Sequence, residues 1–227
     1  MPEDVVLNVY NGAGEKLRLE SFSTGEDFTE SGYATSVSKY IQQTLATSTK
    51  VKLIALVKAL SDYGSKAQVH FNHNVSAAAP IYNQAAIDAV TAETVEPFRY
   101  TKTQTEQPGV SFAALTLVLE SETTLKLYFK LNEGVIGDYS FTLDGKAVTP
   151  TYSKGYYVVE IKDIAAKNLD KVYTVKVSDS SGVILTVNSC ALSYVCQVMN
   201  LEGQSEKLLQ VVKALYLYNQ AANAYFS

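Results

Sequence analysis

Apolar positions along this chain recur with two different periods, and from residue 34 onward the period changes twice. Between residues 34 and 71 it is helical. Ala34, Val37, Ile41 and Leu45 predict a helix over about 34–46. Leu53, Leu56, Val57, Leu60, Gly64, Ala67 and Phe71 form a stripe at i, i+3, i+4 and i+7 steps, which predicts a second helix over about 49–71. Ser48 or Thr49 is its candidate cap, and the short break at 46–49 makes the pair an α-hairpin. From 98 to 188 the period falls to two. Leu125, Leu127, Phe129 and Leu131 alternate with Lys126, Tyr128 and Lys130; Tyr139, Phe141 and Leu143 alternate with Ser140 and Thr142 up to the turn Asp144-Gly145. Tyr157, Val159 and Ile161 alternate with Tyr156, Val158 and Glu160, and Tyr173, Val175 and Val177 with Thr174 and Lys176. Segments near 98–103, 110–119, 125–131, 139–144, 147–152, 156–162, 172–178 and 183–188 give seven or eight strands, with one helical turn at 163–169. That spacing predicts an antiparallel, immunoglobulin-like β-sandwich. The helical period then returns over about 190–200 and 204–226.

The two helical stretches are related. At an offset of 155, residues 52–71 and 207–226 share nine of twenty positions, among them Val57/Val212, Lys58/Lys213, Ala59/Ala214, Leu60/Leu215 and Phe71/Phe226. Upstream, residues 4–20 read as a β-hairpin turning at Asn11-Gly12-Ala13-Gly14, and Asn8–Gly14 aligns with Lys176–Gly182. The repeat unit is therefore hairpin, helix, helix. The first copy has no sandwich before its hairpin, so the chain is expected either to be a piece of a longer tandem protein or to pair that hairpin elsewhere. Ser61 and Asp62 become Tyr216 and Leu217 in the second copy, which predicts a more buried last helix packed on both the sandwich and its neighbouring helix. The expected fold class is α+β. Residues 1–75 hold the N-terminal β-hairpin and first α-hairpin, and 76–97 a connector broken by Pro80 and Pro97 with room for a short helix at 83–90. Residues 98–188 form the sandwich and 189–227 the second α-hairpin.

Composition narrows the function classes. The net charge is −4 with no cluster of arginine or lysine, which argues against nucleic acid. No apolar run reaches about 18 residues, so no membrane span is expected. The start MPEDVV has neither a basic n-region nor an apolar h-region, so the protein is cytosolic or its signal lies outside this sequence. Cys190 and Cys196, if on one helix, would lie about 9 Å apart, beyond the reach of a disulfide. A bond requires Cys190 to precede the helix, and two small buried side chains are the plainer reading.

Few side chains suggest chemistry. His70 and His73 could share a metal by their spacing, but no third ligand is near and Asn72-His73-Asn74 reads as a helix end. Glu26, Asp27 and Glu30 sit in the loop of 21–33, and Glu120 and Glu122 at a strand end, in polar surroundings that give no cause for a pKa shift. No GxSxG, Walker A or Rossmann glycine pattern occurs. Asp179-Ser180-Ser181-Gly182 is too short for a calcium loop and fits a hairpin turn. No catalytic residue, metal or cofactor is expected. Tyrosine is the strongest candidate, with 16 Tyr and no Trp. Tyr128 lies on the polar face of its strand between Lys126 and Lys130, Tyr156 lies opposite the inward Tyr157, and Tyr152 is close by in sequence. Exposed aromatic rings on a sheet can stack on a sugar or meet a protein partner.

The segments TLVLESETTLKLYFKL, FTLDGKAVTP, GYYVVEIKDIAAKNLDKVYTVKV, ALSYVCQVM and LVKALYLYNQAANAYF resemble a module found near the C-terminus of large secreted or surface proteins of gut Firmicutes. The resemblance covers about 98–227, and its helical part recurs in 34–71. It implies an extracellular or cell-surface setting and attachment to other modules of the same polypeptide. It assigns no site residues. The expected function is a non-catalytic structural or adhesion module, with a carbohydrate-binding module using Tyr128, Tyr152 and Tyr156 as the alternative. Expected partners are the other modules and a protein or glycan ligand.

Overall fold

The computed structural model describes residues 37–73, 75, 78–106, 108–119 and 122–227. The hairpin and loop expected over 4–33 lie outside the described residues. The chain divides into two compact units, Met1–Ala85 and Ala86–Ser227, so the division falls inside the stretch read as connector.

In the first unit, α1 (Val37–Thr47) and α2 (Val51–His70) lie against one another. α1 buries Ser38, Ile41 and Thr44 on one stripe. Neither Ser48 nor Thr49 caps α2. Its N-cap is Lys50, and the Ser48 hydroxyl instead accepts the Lys50 N–H at 3.1 Å. The C-terminus closes in a Schellman motif, with Asn72 at φ 52° in the place usually held by glycine. His73 N–H donates to the Gln68 carbonyl at 3.0 Å, and Asn72 N–H to the Val69 carbonyl at 3.4 Å.

Polar residues of α2 fasten the chain that follows. Ser61 Oγ donates to the Pro80 carbonyl at 2.7 Å, and Gln68 Oε1 accepts from Ala79 N–H at 3.2 Å. The Asp62 carboxylate, 3% exposed, accepts the backbone N–H groups of Tyr82 and Asn83 and the Asn83 side-chain amide. Buried polar groups are stable only when partnered in this way. These contacts explain Ser61 and Asp62, which the repeat comparison marks as different from Tyr216 and Leu217.

The segment read as connector carries more structure than expected. It holds α3 (Gln84–Asp88), α4 (Ala92–Val95) behind a Thr91/Thr94 capping box, and a 3-10 turn over Glu96–Phe98 that Pro97 opens. Ile87, Val90 and Val95 are buried.

That second unit is built on two antiparallel sheets. The strands are β1 (Thr101–Gln104), β2 (Val110–Leu119), β3 (Thr123–Leu131), β4 (Ser140–Leu143), β5 (Lys146–Val148), β6 (Thr151–Ser153), β7 (Tyr156–Ile161), β8 (Tyr173–Asp179) and β9 (Gly182–Ser189). One sheet has the order β1-β9-β8-β4-β5, the other β2-β3-β7-β6. Two strand expectations need correction. The segment 147–152 is two strands in different sheets, because Pro150 cannot donate to a ladder and the chain changes sheet there. The segment 98–103 begins with the 3-10 turn, so its strand starts only at Thr101.

The core lies between the sheets. Val110, Phe112, Leu115, Leu125, Leu127 and Phe129 from one face meet Phe141, Val175, Val177, Leu185 and Val187 from the other. Phe129 sits edge-on to both Phe112 and Phe141, with centroids 5.8 and 5.4 Å away.

The last two helices, α5 (Ala191–Asn200) and α6 (Glu206–Phe226), complete this unit. Cys190 is the residue before α5, and the Ser193 hydroxyl ties the helix start down: it accepts the Cys190 N–H at 3.0 Å and donates to the Phe98 carbonyl at 2.7 Å. α6 packs on α5 and on the 3-10 turn Ala166–Asn168. Asn219, fully buried, donates to the Ala166 carbonyl at 2.8 Å and to Asp170, whose other oxygen accepts from Asn223 at 2.9 Å.

Candidate functional site

The outer face of the four-stranded sheet, away from the core, carries the rings the sequence singles out, though not all three. On β3, Leu125, Leu127 and Phe129 point inward, so Lys126, Tyr128 and Lys130 point outward. On β7, Tyr157, Val159 and Ile161 share the inner side, so Tyr156, Val158 and Glu160 share the outer one. Tyr128 stands opposite Val158, which places Tyr156 on its diagonal. The Tyr128 and Tyr156 rings meet at right angles with centroids 6.1 Å apart. The Tyr128 hydroxyl lies 3.3 Å from Thr116 Oγ1 on β2.

Tyr152 is not part of this pair. It stands opposite Tyr157 on β6, so it shares the inner side of the sheet, and its ring lies 5.1 Å from that of Tyr157. It is 65% exposed because β6 is the margin of the sheet. The structure thus brings Tyr128 and Tyr156 together and separates Tyr152 from both.

Charge frames the pair. Glu160 bridges Lys126 at 2.7 Å and Lys162 at 3.4 Å. The Lys126 hydrogen bond, helped by Lys162, holds the Glu160 carboxyl below its ordinary value against the opposing effect of burial. A lowered folded-state pKa stabilises the fold above the unfolded value, and the gain is lost as pH falls through the folded value. Glu160→Gln is therefore expected to be less stable than the parent by under about 1 kcal/mol at neutral pH, since the pair is partly exposed. Below the carboxylate range the two should unfold at the same denaturant concentration. Urea titrations at two pH values check this.

The remaining candidates do not converge. His70 is the last residue of α2, with its ring against Phe71, while His73 serves the helix end through its backbone. Glu26, Asp27, Glu30 and Glu120 lie outside the described residues. Glu122 departs from expectation: a hydrogen bond to Asp163 and that residue's charge raise its pKa, because the turn after β7 brings Asp163 beside the start of β3. Both cysteines are free and buried, although Cys190 does precede its helix. Burial pushes both thiols up, away from the reactive thiolate. Asp179 makes the expected turn, accepting from the Ser181 N–H at 2.7 Å and from its hydroxyl. Among the described residues no three His, Cys, Asp or Glu side chains gather as metal ligands, and no helix is long and apolar enough to cross a membrane.

A feature that periodicity does not reveal adjoins Tyr128. A half-open cleft of about 350 Å³ lies along β2, bounded by Arg99, Tyr100 and one side of α5. It exists because β2 bulges between Phe112 and Ala114, leaving Ala113 without a partner on β3. The run VSFAALTLVL is apolar almost throughout, so nothing in its pattern marks the slip.

No family model matches the chain, and no curated protein or solved structure is significantly similar to it.

Proposed function

We propose that this chain is a non-catalytic structural or adhesion module of a bacterial secreted or cell-surface protein, whose work is to hold a contact surface and space its neighbouring modules. The observation that carries this reading is the Tyr128–Tyr156 pair. The half-buried Tyr128 ring and the exposed Tyr156 ring meet edge to face on the outer side of a sheet whose other side is a packed core. A rigid aromatic patch of this kind gives contact area at little cost in side-chain entropy.

The architecture supports the same reading. The orders β2-β3-β7-β6 and β9-β8-β4 follow the ABED and GFC sheets of immunoglobulin-like domains, the basis for assigning that class. The two helix pairs have helices of 11 and 20 residues and of 10 and 21, and Val57/Val212, Ala59/Ala214 and Gly64/Asn219 are buried in both, which favours a repeated α-hairpin. Immunodetection of the parent protein on intact and lysed cells tests the setting. Signal on intact cells is the expected result, and signal only after lysis would refute it.

Carbohydrate binding is the second reading, favoured by the position of Tyr128 and Tyr156 beside Lys126, Glu160 and Thr116, since ring faces bordered by hydrogen-bonding groups suit a sugar. Sedimentation of the chain with insoluble polysaccharides separates it from protein adhesion.

A further inference from the structure

We propose that the cleft beside Tyr128 binds one neutral, polyhydroxylated ring, a single pyranose residue of a glycan. This deepens the carbohydrate reading and takes from it only the idea that a glycan reaches this face; the ligand class follows from the cleft itself.

Its floor is small and apolar. Ala113 and Ala114 are exposed at the bulge of β2, where methyl groups leave room for a flat ring. Tyr100 forms one wall, its ring held edge-on to Phe112 with centroids 5.1 Å apart. The opposite wall is α5, which presents Gln197 and Asn200 three residues apart and so on one helical face.

The polar groups of the cleft both give and accept hydrogen bonds. Among the described residues, the Gln197 carboxamide has no hydrogen-bond partner, leaving two N–H groups and a carbonyl for a ligand. Asn200 spends its Nδ2 on the Cys196 carbonyl at 2.9 Å and on Cys196 Sγ, which leaves Oδ1 as an acceptor. Arg99, which lines the cleft, donates from Nε and one Nη to Glu96, which leaves three further guanidinium N–H groups as donors. A hydroxyl is both donor and acceptor, and it can use each of these groups in turn.

Charge argues for a neutral ligand. Glu96 and Arg99 neutralise one another at the rim, so an anion gains little from the guanidinium and meets a carboxylate behind it. At about 350 Å³ the cleft stands at the small end of ligand sites, which span roughly 300–1,000 Å³. It is also continuous with the sheet face, because Ala114 stands directly opposite Tyr128. A ring in the cleft would have its next residue over Tyr128 and Tyr156.

The test is an NMR titration of the whole chain with the methyl glycosides of glucose, galactose, mannose and N-acetylglucosamine, and with glucuronate. At least one neutral glycoside should shift the Gln197 side-chain amide and the Ala113 and Ala114 backbone amides. Gln197→Ala should weaken that binding roughly tenfold, the scale of one or two lost hydrogen bonds. Ala113→Phe, at an exposed edge position, should abolish it by filling the cleft, while Tyr152→Ala, on the marginal strand β6 at the far side of the sheet from β2, should leave it unchanged. No shift at these amides with any of the four glycosides overturns the proposal, as does tighter binding of glucuronate. Shifts confined to Tyr128 and Tyr156 overturn it while sustaining the sheet-face reading. Shifts at the cleft alone sustain it, since one ring fills the cleft without reaching Tyr128 and Tyr156.

Discussion

Phe129→Ala is expected to destabilise the second unit by about 3–5 kcal/mol, the range for losing a fully buried aromatic side chain and leaving a cavity. Phe129 has no exposed surface. Its ring is the middle member of a chain of three, touching Phe112 in its own sheet and Phe141 across the core. The ring thus joins the two sheets, and neither neighbour can move into the gap without breaking its own contacts. Urea unfolding should show a lower midpoint with an unchanged slope, since the surface exposed on unfolding stays the same. Phe129→Leu, which keeps most of the volume, should recover more than half of the loss. A destabilisation under about 1 kcal/mol by Phe129→Ala would mean that the sheets do not pack as described.

The second large effect is expected in the first unit. Asp62→Ala removes the buried acceptor of two backbone N–H groups and one side-chain amide, which belong to the exposed residues Tyr82 and Asn83. Hydrogen bonds to a charged group contribute about 1.5–3 kcal/mol each, and the donors freed on exposed Tyr82 and Asn83 can turn to water, so a loss of about 2–4 kcal/mol is expected rather than the sum of three bonds. The readout is local. Hydrogen exchange at the Tyr82 and Asn83 amides should quicken at least tenfold, while the centre of α2 around Val57 changes less. Asp62→Asn keeps the shape and one acceptor and should fall between the two. Equal exchange in parent and Asp62→Ala would show that this carboxylate does not hold the segment.

Much of the fold was legible because its elements are amphipathic. Leu125–Leu131, Tyr157–Ile161 and Tyr173–Val177 alternate strictly, and each is a strand facing the core with those residues. Leu208–Ala222 keeps a helical stripe, and α6 buries Val211, Val212, Leu215, Asn219 and Ala222 from it. Features set by contacts between distant residues were not legible. Asp62 meets partners some twenty residues away, and nothing in DYGSK distinguishes an acceptor for backbone amides from a solvated acid. Pro150 falls inside the segment 147–152 that reads as one strand, yet it is the point where the chain changes sheets. Proximity in sequence groups Tyr152 with Tyr156, but register against Tyr157 decides its face. The cleft depends on an unpaired alanine in an apolar run and on side chains about 100 residues apart, Arg99 and Gln197.

The decisive measurement is retention of the intact chain on arrays of glycans and extracellular proteins, compared among the parent, the Tyr128→Ala/Tyr156→Ala double variant and Tyr152→Ala. If the outer sheet face is the contact surface, the parent is held by at least one ligand, the double variant is released from it and Tyr152→Ala stays bound. Retention of the double variant at parental strength, or release of Tyr152→Ala alone, would contradict that assignment.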